Sequence, residues 1–458
     1  MMEKQSPREI AVAALGDRAG NVTAHLERLL ADASLEPADS GFARELALGA
    51  VRRRATLETV LRAYLAQPDR RLPGPLEGIL AVAVYQLLFL ARVPAFAAVN
   101  EAVGQVMRRG LKGYAGMANG VLRTISRGLS DIQTGRPPIR VDVVPIGPNS
   151  YRMLDRAVFP DAAQTPTDYI AAAYSLPAAL ATRWLTRFGS LDAAIDVAMH
   201  ANARAPQILR VNMLKADVAG SIAALASEGL AAVPHANGMS IVLTEHQNVA
   251  ALRALRDGLV QPQDPTATSV GIACGVRPGM SVLDFCAAPG TKTTHLAELM
   301  ANSGSITAVD VSQERLQRVT DNCSRLGVSI VTTCLAEEVA QRLKPGSFDV
   351  VLADVPCSNT GVLARRAEAR WQFSEDSLAA IVKDQRFLAA AAASFVKPGG
   401  RLVYSTCSIE PEENSELAMG LVRKVRGLRL IEEKLTLPGG AEYLPNWRDG
   451  GYHAVFTR

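Results

Sequence analysis

Residues 354–357 read Asp-Val-Pro-Cys, and residues 406–408 read Thr-Cys-Ser. Each stretch lies where an apolar run gives way to a polar turn. Together they offer one carboxylate, Asp354, and two thiols, Cys357 and Cys407. One chemistry that needs this set is methylation of a cytosine at C5, a poor nucleophile. A thiolate adding to C6 makes C5 enamine-like, so that it can attack a methyl sulfonium. The hard step is thereby split into easier ones. A protonated carboxyl near N3 favours the addition, and a base must later take the C5 proton. A lone cysteine at a strand end is more often a small buried hydrophobe. Metal ligation by the pair lacks a third and fourth ligand. The acids after Cys407 would oppose its ionisation. Glu412 and Glu413 read as first-turn helix acids that the helix dipole stabilises, a structural role.

A second group lies upstream. DFCAAPGTKTTHL (284–296) reads as a strand end, a turn of small residues and a helix start. Ala287, Ala288 and Gly290 let a ligand approach the backbone, and amides at a helix N-terminus can hold a carboxylate. The spacing fits neither GxGxxG nor GxxxxGK[ST]. The next strand ends in Asp310, placed to accept hydrogen bonds from ribose hydroxyls. A carboxylate loop plus a ribose acid describes S-adenosylmethionine. The competing reading is a plain tight turn with Asp310 as a helix cap.

These residues must be held by strands and helices in alternation. From about 270 onward the sequence alternates: SVLDF, then a helix; SITAVDV, then a helix; FDVVLADV, then a long helix over 377–396; then RLVYST. This rhythm predicts a doubly wound parallel sheet, with ligands beyond the carboxyl ends of the strands. Residues 166–265 mix helical and strand patterns and read as a small α+β module. Residues 131–150 hold four prolines without a helical period and read as a linker or extended segment. Residues 1–130 have apolar positions at three- and four-residue spacing and read as helices. The stretch 78–94 is too short and interrupted to span a membrane, and is expected as a buried core helix.

At 458 residues, two or three domains are expected. With 48% hydrophobic and 21% charged residues, the composition is that of a globular protein. Six cysteines without a CxxC, and no histidine cluster at zinc spacing, argue against a disulfide framework or structural zinc. No metal is expected, and free thiols suit a reducing cytoplasm. Residues 1–140 carry 19 Lys and Arg against 13 Asp and Glu, a basic excess suited to a polyanion such as RNA. It suits a solvated arginine-rich helix surface equally well.

DFCAAPGTKT, DVPCSNTG and YSTCSIEPEEN resemble three signature motifs of RNA cytosine-5 methyltransferases. VPAFAAVNEAVGQVMRRGLKGYAGMANGVLRTISR (93–127) is similar to the NusB-like helical domain of the bacterial RsmB/Sun/Fmu group. QILRVNMLK and VQPQDPTAT resemble the segments that join that domain to the catalytic one. The resemblance covers nearly the whole chain. It implies a NusB-like RNA-binding domain over 1–133, a linker over 134–165, the α+β module over 166–265, and a Rossmann-like class I methyltransferase domain over 266–458. It implies S-adenosylmethionine as cofactor and a cytosine of 16S ribosomal RNA as substrate, free or in an assembling small subunit. A cytoplasmic monomer without membrane contact is expected.

By the same resemblance, Cys286, Ala287, Ala288, Pro289, Gly290, Thr291 and Lys292 form the cofactor loop and Asp310 holds the ribose. Asp354 meets cofactor and base, Cys407 is the nucleophile, and Cys357 assists product release. The chain departs from the family pattern at Val355, at Thr291, in TTCLAEEV after the third strand, in RRAEARW (365–371) and in DGGYHA. Arg365, Arg366, Arg370 and Trp371 are expected to grip phosphates and stack on a base. A solvated arginine loop with Trp371 packed inside is the competing reading. Amino-group methylation would use an Asp/Asn-Pro-Pro-aromatic turn, which is absent. An RNA-binding protein with a degenerate catalytic domain, or a protein methyltransferase, are the other rivals.

Overall fold

The computed structural model describes residues 5–16 and 21–458. Residues 1–4 and 17–20 of the expected helical domain lie outside the described residues. The chain divides into two compact units. One comprises residues up to Ala203 together with Arg366–Phe373; the other comprises Arg204–Arg365 and Ser374–Arg458.

The first unit is built on helices Pro7–Leu15, Val22–Asp32, Pro37–Arg52, Arg54–Tyr64, Gly74–Phe89, Ala95–Arg108 and Ala115–Arg127. Gly74–Phe89, the most apolar stretch, is buried along most of its length, as a helix without a polar face must be. Among the described residues, no helix is long and apolar enough to cross a membrane. The proline-rich stretch read as a linker or extended segment, with the residues that follow it, carries three short strands, β1 (Gln133–Thr134), β2 (Val143–Gly147) and β3 (Ser150–Met153), in the antiparallel order β1-β3-β2. Val143 and Val144 are fully buried. The helices of 166–202 group with this unit. Part of the reason is Arg370. It lies fully buried and donates to the carbonyls of Arg52, Ser175 and Ala201 and to Asn202 Oδ1. These acceptors lie at or just beyond the C-terminal ends of three helices, where orphan carbonyls and the dipole both call for a cation.

The second unit begins with an antiparallel sheet of β4 (Ile208–Val211), β5 (Ala232–Pro234), β6 (Ser240–Leu243) and β7 (Val260–Pro262), ordered β5-β6-β4-β7. The larger sheet contains β8 (Ser281–Asp284), β9 (Ser305–Asp310), β10 (Val331–Leu335), β11 (Phe348–Asp354), β12 (Val396–Thr406), β13 (Arg429–Thr436) and β14 (Gly451–Thr457). Its order is β10-β9-β8-β11-β12-β14-β13. The first five strands are parallel, as the alternation predicts. β14 runs antiparallel to both β12 and β13, an ending that the alternation does not predict. β13 presents Glu432, Glu433 and Lys434 to solvent, the charged dressing of an edge strand. The long helix spans Glu375–Ser394, so β12 starts at Val396, ahead of the Pro-Gly-Gly turn.

The strand order reverses between β8 and β11. A crevice beyond the carboxyl ends is the consequence of that reversal, and the second unit's chemistry belongs there.

Candidate active site

Asp284 closes β8, Asp310 closes β9, Asp354 closes β11, and Cys407 follows the last residue of β12. In register, Asp354 sits opposite Ser405, and Leu352 opposite Asp284. The positions expected from separate motifs therefore share one end of the sheet.

Residues 285–290 turn from β8 into helix Thr291–Leu299. Gly290 sits at φ +94°, a conformation that L side chains rarely adopt, and a Cβ there would lie 3.1 Å from Val319. The Ala287 amide donates to Val309 O at 2.9 Å and the Ala288 amide to Asp310 Oδ2 at 3.0 Å, so the loop is pinned to the end of β9. Asp310 Oδ1 accepts from the Val311 amide at 2.7 Å and pairs with Arg315 Nε at 3.0 Å. Val311 is 74% exposed beside it. Small loop residues, a buried acid and an exposed apolar side chain fit the carboxylate, ribose and base of S-adenosylmethionine. Cys286 belongs to this loop but is no nucleophile: burial, then Asp284, Asp354 and Asp310, push its thiol far up.

Lys292, expected only as part of the cofactor loop, turns its ammonium to Asp354, with Nζ 2.5 Å from Oδ2. The other carboxylate oxygen accepts from Ser405 Oγ at 2.6 Å. Burial alone would lower the Lys292 pKa; Asp354 more than offsets it and holds the ammonium above its ordinary value.

The two thiols meet, with Cys357 Sγ and Cys407 Sγ 2.9 Å apart. Cys407 is half-buried and also lies 3.1 Å from Asn359 Oδ1, while Cys357 is buried. Asn359 adopts φ +62°, and its side-chain amide returns to Cys357 O at 2.8 Å. Gly361 N donates to Cys407 O at 3.0 Å, and Gly361 approaches Gly450 so closely that a Cβ would fall 2.6 Å from it. The Asn-Thr-Gly run thus stitches one thiol turn to the other. The hydrogen bond to Cys407 comes first among the causes that raise the Cys357 pKa well above the ordinary thiol range. Burial and the charges of Cys407 and Glu413 add to it.

Sequence reasoning missed three contributors. Ser405 and Asn359 carry no signal beyond lying within the motifs. Asp284 is buried, with Oδ2 accepting from Thr293 Oγ1 at 2.7 Å and Oδ1 without a hydrogen-bond partner. Burial raises its pKa to about 7. Its place at the end of the first strand is the signal that could have found it.

The arginine segment requires correction. Arg370 is fully buried among carbonyls and cannot reach a phosphate. Trp371 Nε1 donates to Val51 O at 2.9 Å, and Arg54 lies over its ring, so the indole is packed rather than offered to a base. Arg365 commits its guanidinium to the carboxylates of Asp264 and the buried Asp449. Arg366 is exposed. Among the described residues, no group of three or more His, Cys, Asp or Glu side chains is arranged to hold a metal ion.

Comparison with known proteins gives three family models in chain order. The NusB family matches residues 5–127, the RsmF/B-like ferredoxin-like domain matches 176–250, and the 16S rRNA methyltransferase RsmB/F model matches 273–446. The ribosomal RNA small subunit methyltransferase B of Vibrio cholerae is 30% identical, over 93% of this chain and 92% of that protein. The probable enzyme of the same name from Synechocystis is 31% identical, over 89% and 87%. Among solved structures, a methyltransferase homolog protein from Pyrococcus horikoshii is 26% identical with a TM-score of 0.51, covering 63% of this chain and 97% of that one. The chain belongs to the ribosomal RNA small subunit methyltransferase B family and is an S-adenosylmethionine-dependent methyltransferase.

Proposed function

We propose that the enzyme methylates C5 of a cytosine in 16S ribosomal RNA through a covalent bond between Cys407 and C6. The observation that carries this reading is the pair of thiols, 2.9 Å apart, at the ends of neighbouring parallel strands beside Asp354. Bound between the 286–292 loop and Asp310, S-adenosylmethionine supplies the methyl group as an electrophile.

Cys407 Sγ forms a bond to C6 while N3 takes the proton held between the Lys292 ammonium and Asp354. C5 thereby gains the electron density to accept the methyl group. Loss of the C5 proton to a base re-forms the C5–C6 double bond, and the C6–S bond breaks with its electron pair returning to sulfur. N3 gives its proton back, so one proton is released per turnover. Cys357, protonated and in hydrogen-bond contact, stabilises the departing Cys407 thiolate. The target base must leave any stack, so a loop or flipped nucleotide is the expected substrate.

The helical segment 1–133, with its basic excess, is proposed to bind the RNA, with 166–265 as a joining module and 266–458 as the catalytic domain. The enzyme is proposed to act as a cytoplasmic monomer on free RNA or an assembling small subunit.

The test is a denaturing gel of protein with small-subunit ribosomal RNA and cofactor, paired with mass spectrometry for 5-methylcytosine. Cys357→Ala is expected to accumulate a protein–RNA adduct, and Cys407→Ala to give neither adduct nor product. An adduct that depends on Cys357 would overturn the assignment of roles. Methyl transfer that survives ribonuclease treatment would point to a protein substrate.

A further inference from the structure

Glu413 reads in sequence as a first-turn acid of the last helix. Instead it is fully buried, in a short 3-10 turn (Pro411–Glu413) ahead of helix Ser415–Lys424. Its carboxylate accepts four hydrogen bonds. Oε1 takes the Ser358 amide at 2.9 Å and Gln385 Nε2 at 2.8 Å, and Oε2 takes the hydroxyls of Ser358 and Ser408. Ser358 directly follows Cys357, and Ser408 directly follows Cys407. Tyr404 in β12 closes the arrangement by donating to Glu413 O at 2.7 Å. All these donors are neutral, so none of them cancels the carboxylate's charge. A buried charge with neutral partners acts strongly on nearby titratable groups.

We infer that Glu413 is a positioning residue for this reaction. Its carboxylate ties the two thiol-bearing turns together, and its charge keeps the shared proton of the pair on Cys357, leaving Cys407 as the nucleophile. The inference rests on the reading of Cys407 as nucleophile and adds what distinguishes two chemically identical side chains. The charged and titratable groups around the pair fit this order. Cys357 faces Cys407, Glu413 and the Tyr404 hydroxyl, while the Lys292 ammonium is bound to Asp354. The Glu413 carboxylate thus opposes ionisation of Cys357. Two equivalent thiols would share the ionised form; the carboxylate tied to the Cys357 turn makes them inequivalent.

The experiment measures alkylation of each thiol by iodoacetamide across pH, with peptide mapping, in the full-length protein without RNA. In wild type, Cys407 is expected to react well before Cys357. Glu413→Gln keeps the shape and removes the charge. In that variant the Cys357 rate at neutral pH is expected to rise about tenfold, in step with a larger thiolate fraction, and its pH profile to move down. Glu413→Asp should restore most of the wild-type order. An unchanged Cys357 profile in a folded glutamine variant would overturn the inference. Ser358→Ala supplies a test that survives misfolding of the glutamine variant. It leaves the charge with one donor fewer, so Cys357 should become slower or stay unchanged, and a faster Cys357 would overturn the inference. These labelling rates do not depend on methyl transfer. Failure of the nucleophile assignment shows instead in the RNA-adduct gel.

Discussion

Two short regions, separated by only a few residues, hold side chains that look functional, and they use them in opposite ways. In the thiol turns (354–360 and 405–413), acids, amides and thiols converge on the crevice at the end of the sheet. In the segment 365–371, Arg365 pairs with Asp449, the Trp371 indole is packed, and Arg370 is spent on main-chain carbonyls. Both regions are polar, and both bury charge. They differ in whether the hydrogen bonds of the buried charged group are fully matched. Arg370 is surrounded by acceptors, whereas Asp284 keeps an oxygen without a hydrogen-bond partner. A group whose hydrogen bonds are fully matched fixes a fold; a carboxylate with an unmatched oxygen remains able to take up a proton.

The largest expected effect belongs to the matched charge. Arg370→Met removes the cation and leaves the carbonyls of Arg52, Ser175 and Ala201 without that donor. Denaturant unfolding is expected to show a loss of about 3–5 kcal/mol. A loss below about 1 kcal/mol would mean that the carbonyls find other partners and that matching by Arg370 is not what holds this region.

The unmatched side is tested by pH. Asp284 is raised from an ordinary 3.8 to about 7, chiefly by burial. Between those values the folded protein holds a proton that the unfolded chain has released, so wild-type stability falls as pH rises through that window. Asp264, raised to about 7 by burial and Asp449, acts with the same sign. Asp284→Asn should therefore flatten the slope without abolishing it. Its stability relative to wild type should be greater at pH 8 than at pH 5, by on the order of 2–4 kcal/mol. Parallel stability curves for the two proteins would show that Asp284 is satisfied in a way its geometry does not display.

What the sequence discloses follows the same division. Strand–helix alternation puts motif residues at carboxyl ends, so Asp310, Asp354, Cys357 and Cys407 can be grouped from the alternation alone. Chain reversals that depend on distant packing are not legible in that way. The proline-rich 131–150 stretch supplies strands because Val143 and Val144 find a core, and β14 returns antiparallel after the long loop that follows β13. Glu413 reads as a surface helix acid because Glu412-Glu413 precede a helical pattern. The intervening 3-10 turn and Asn414, at φ −116° and ψ −107°, turn it inward. Arg370 reads as a phosphate ligand because a run of arginines does not say which helix ends will need a cation.

Arg366 carries the smallest expected effect. It is exposed, so Arg366→Ala should change stability by no more than about 1 kcal/mol. If the segment 365–371 touches the phosphate backbone, an exposed arginine is the side chain to do so. Removal of Arg366 should then weaken RNA binding uniformly across sequences and reduce the slope of log affinity against log salt by about 0.7, one single-strand phosphate contact. A changed slope would give this segment an RNA contact beside its structural work. An unchanged slope would leave the segment to packing and locate the RNA-binding charge in the basic excess of the N-terminal third.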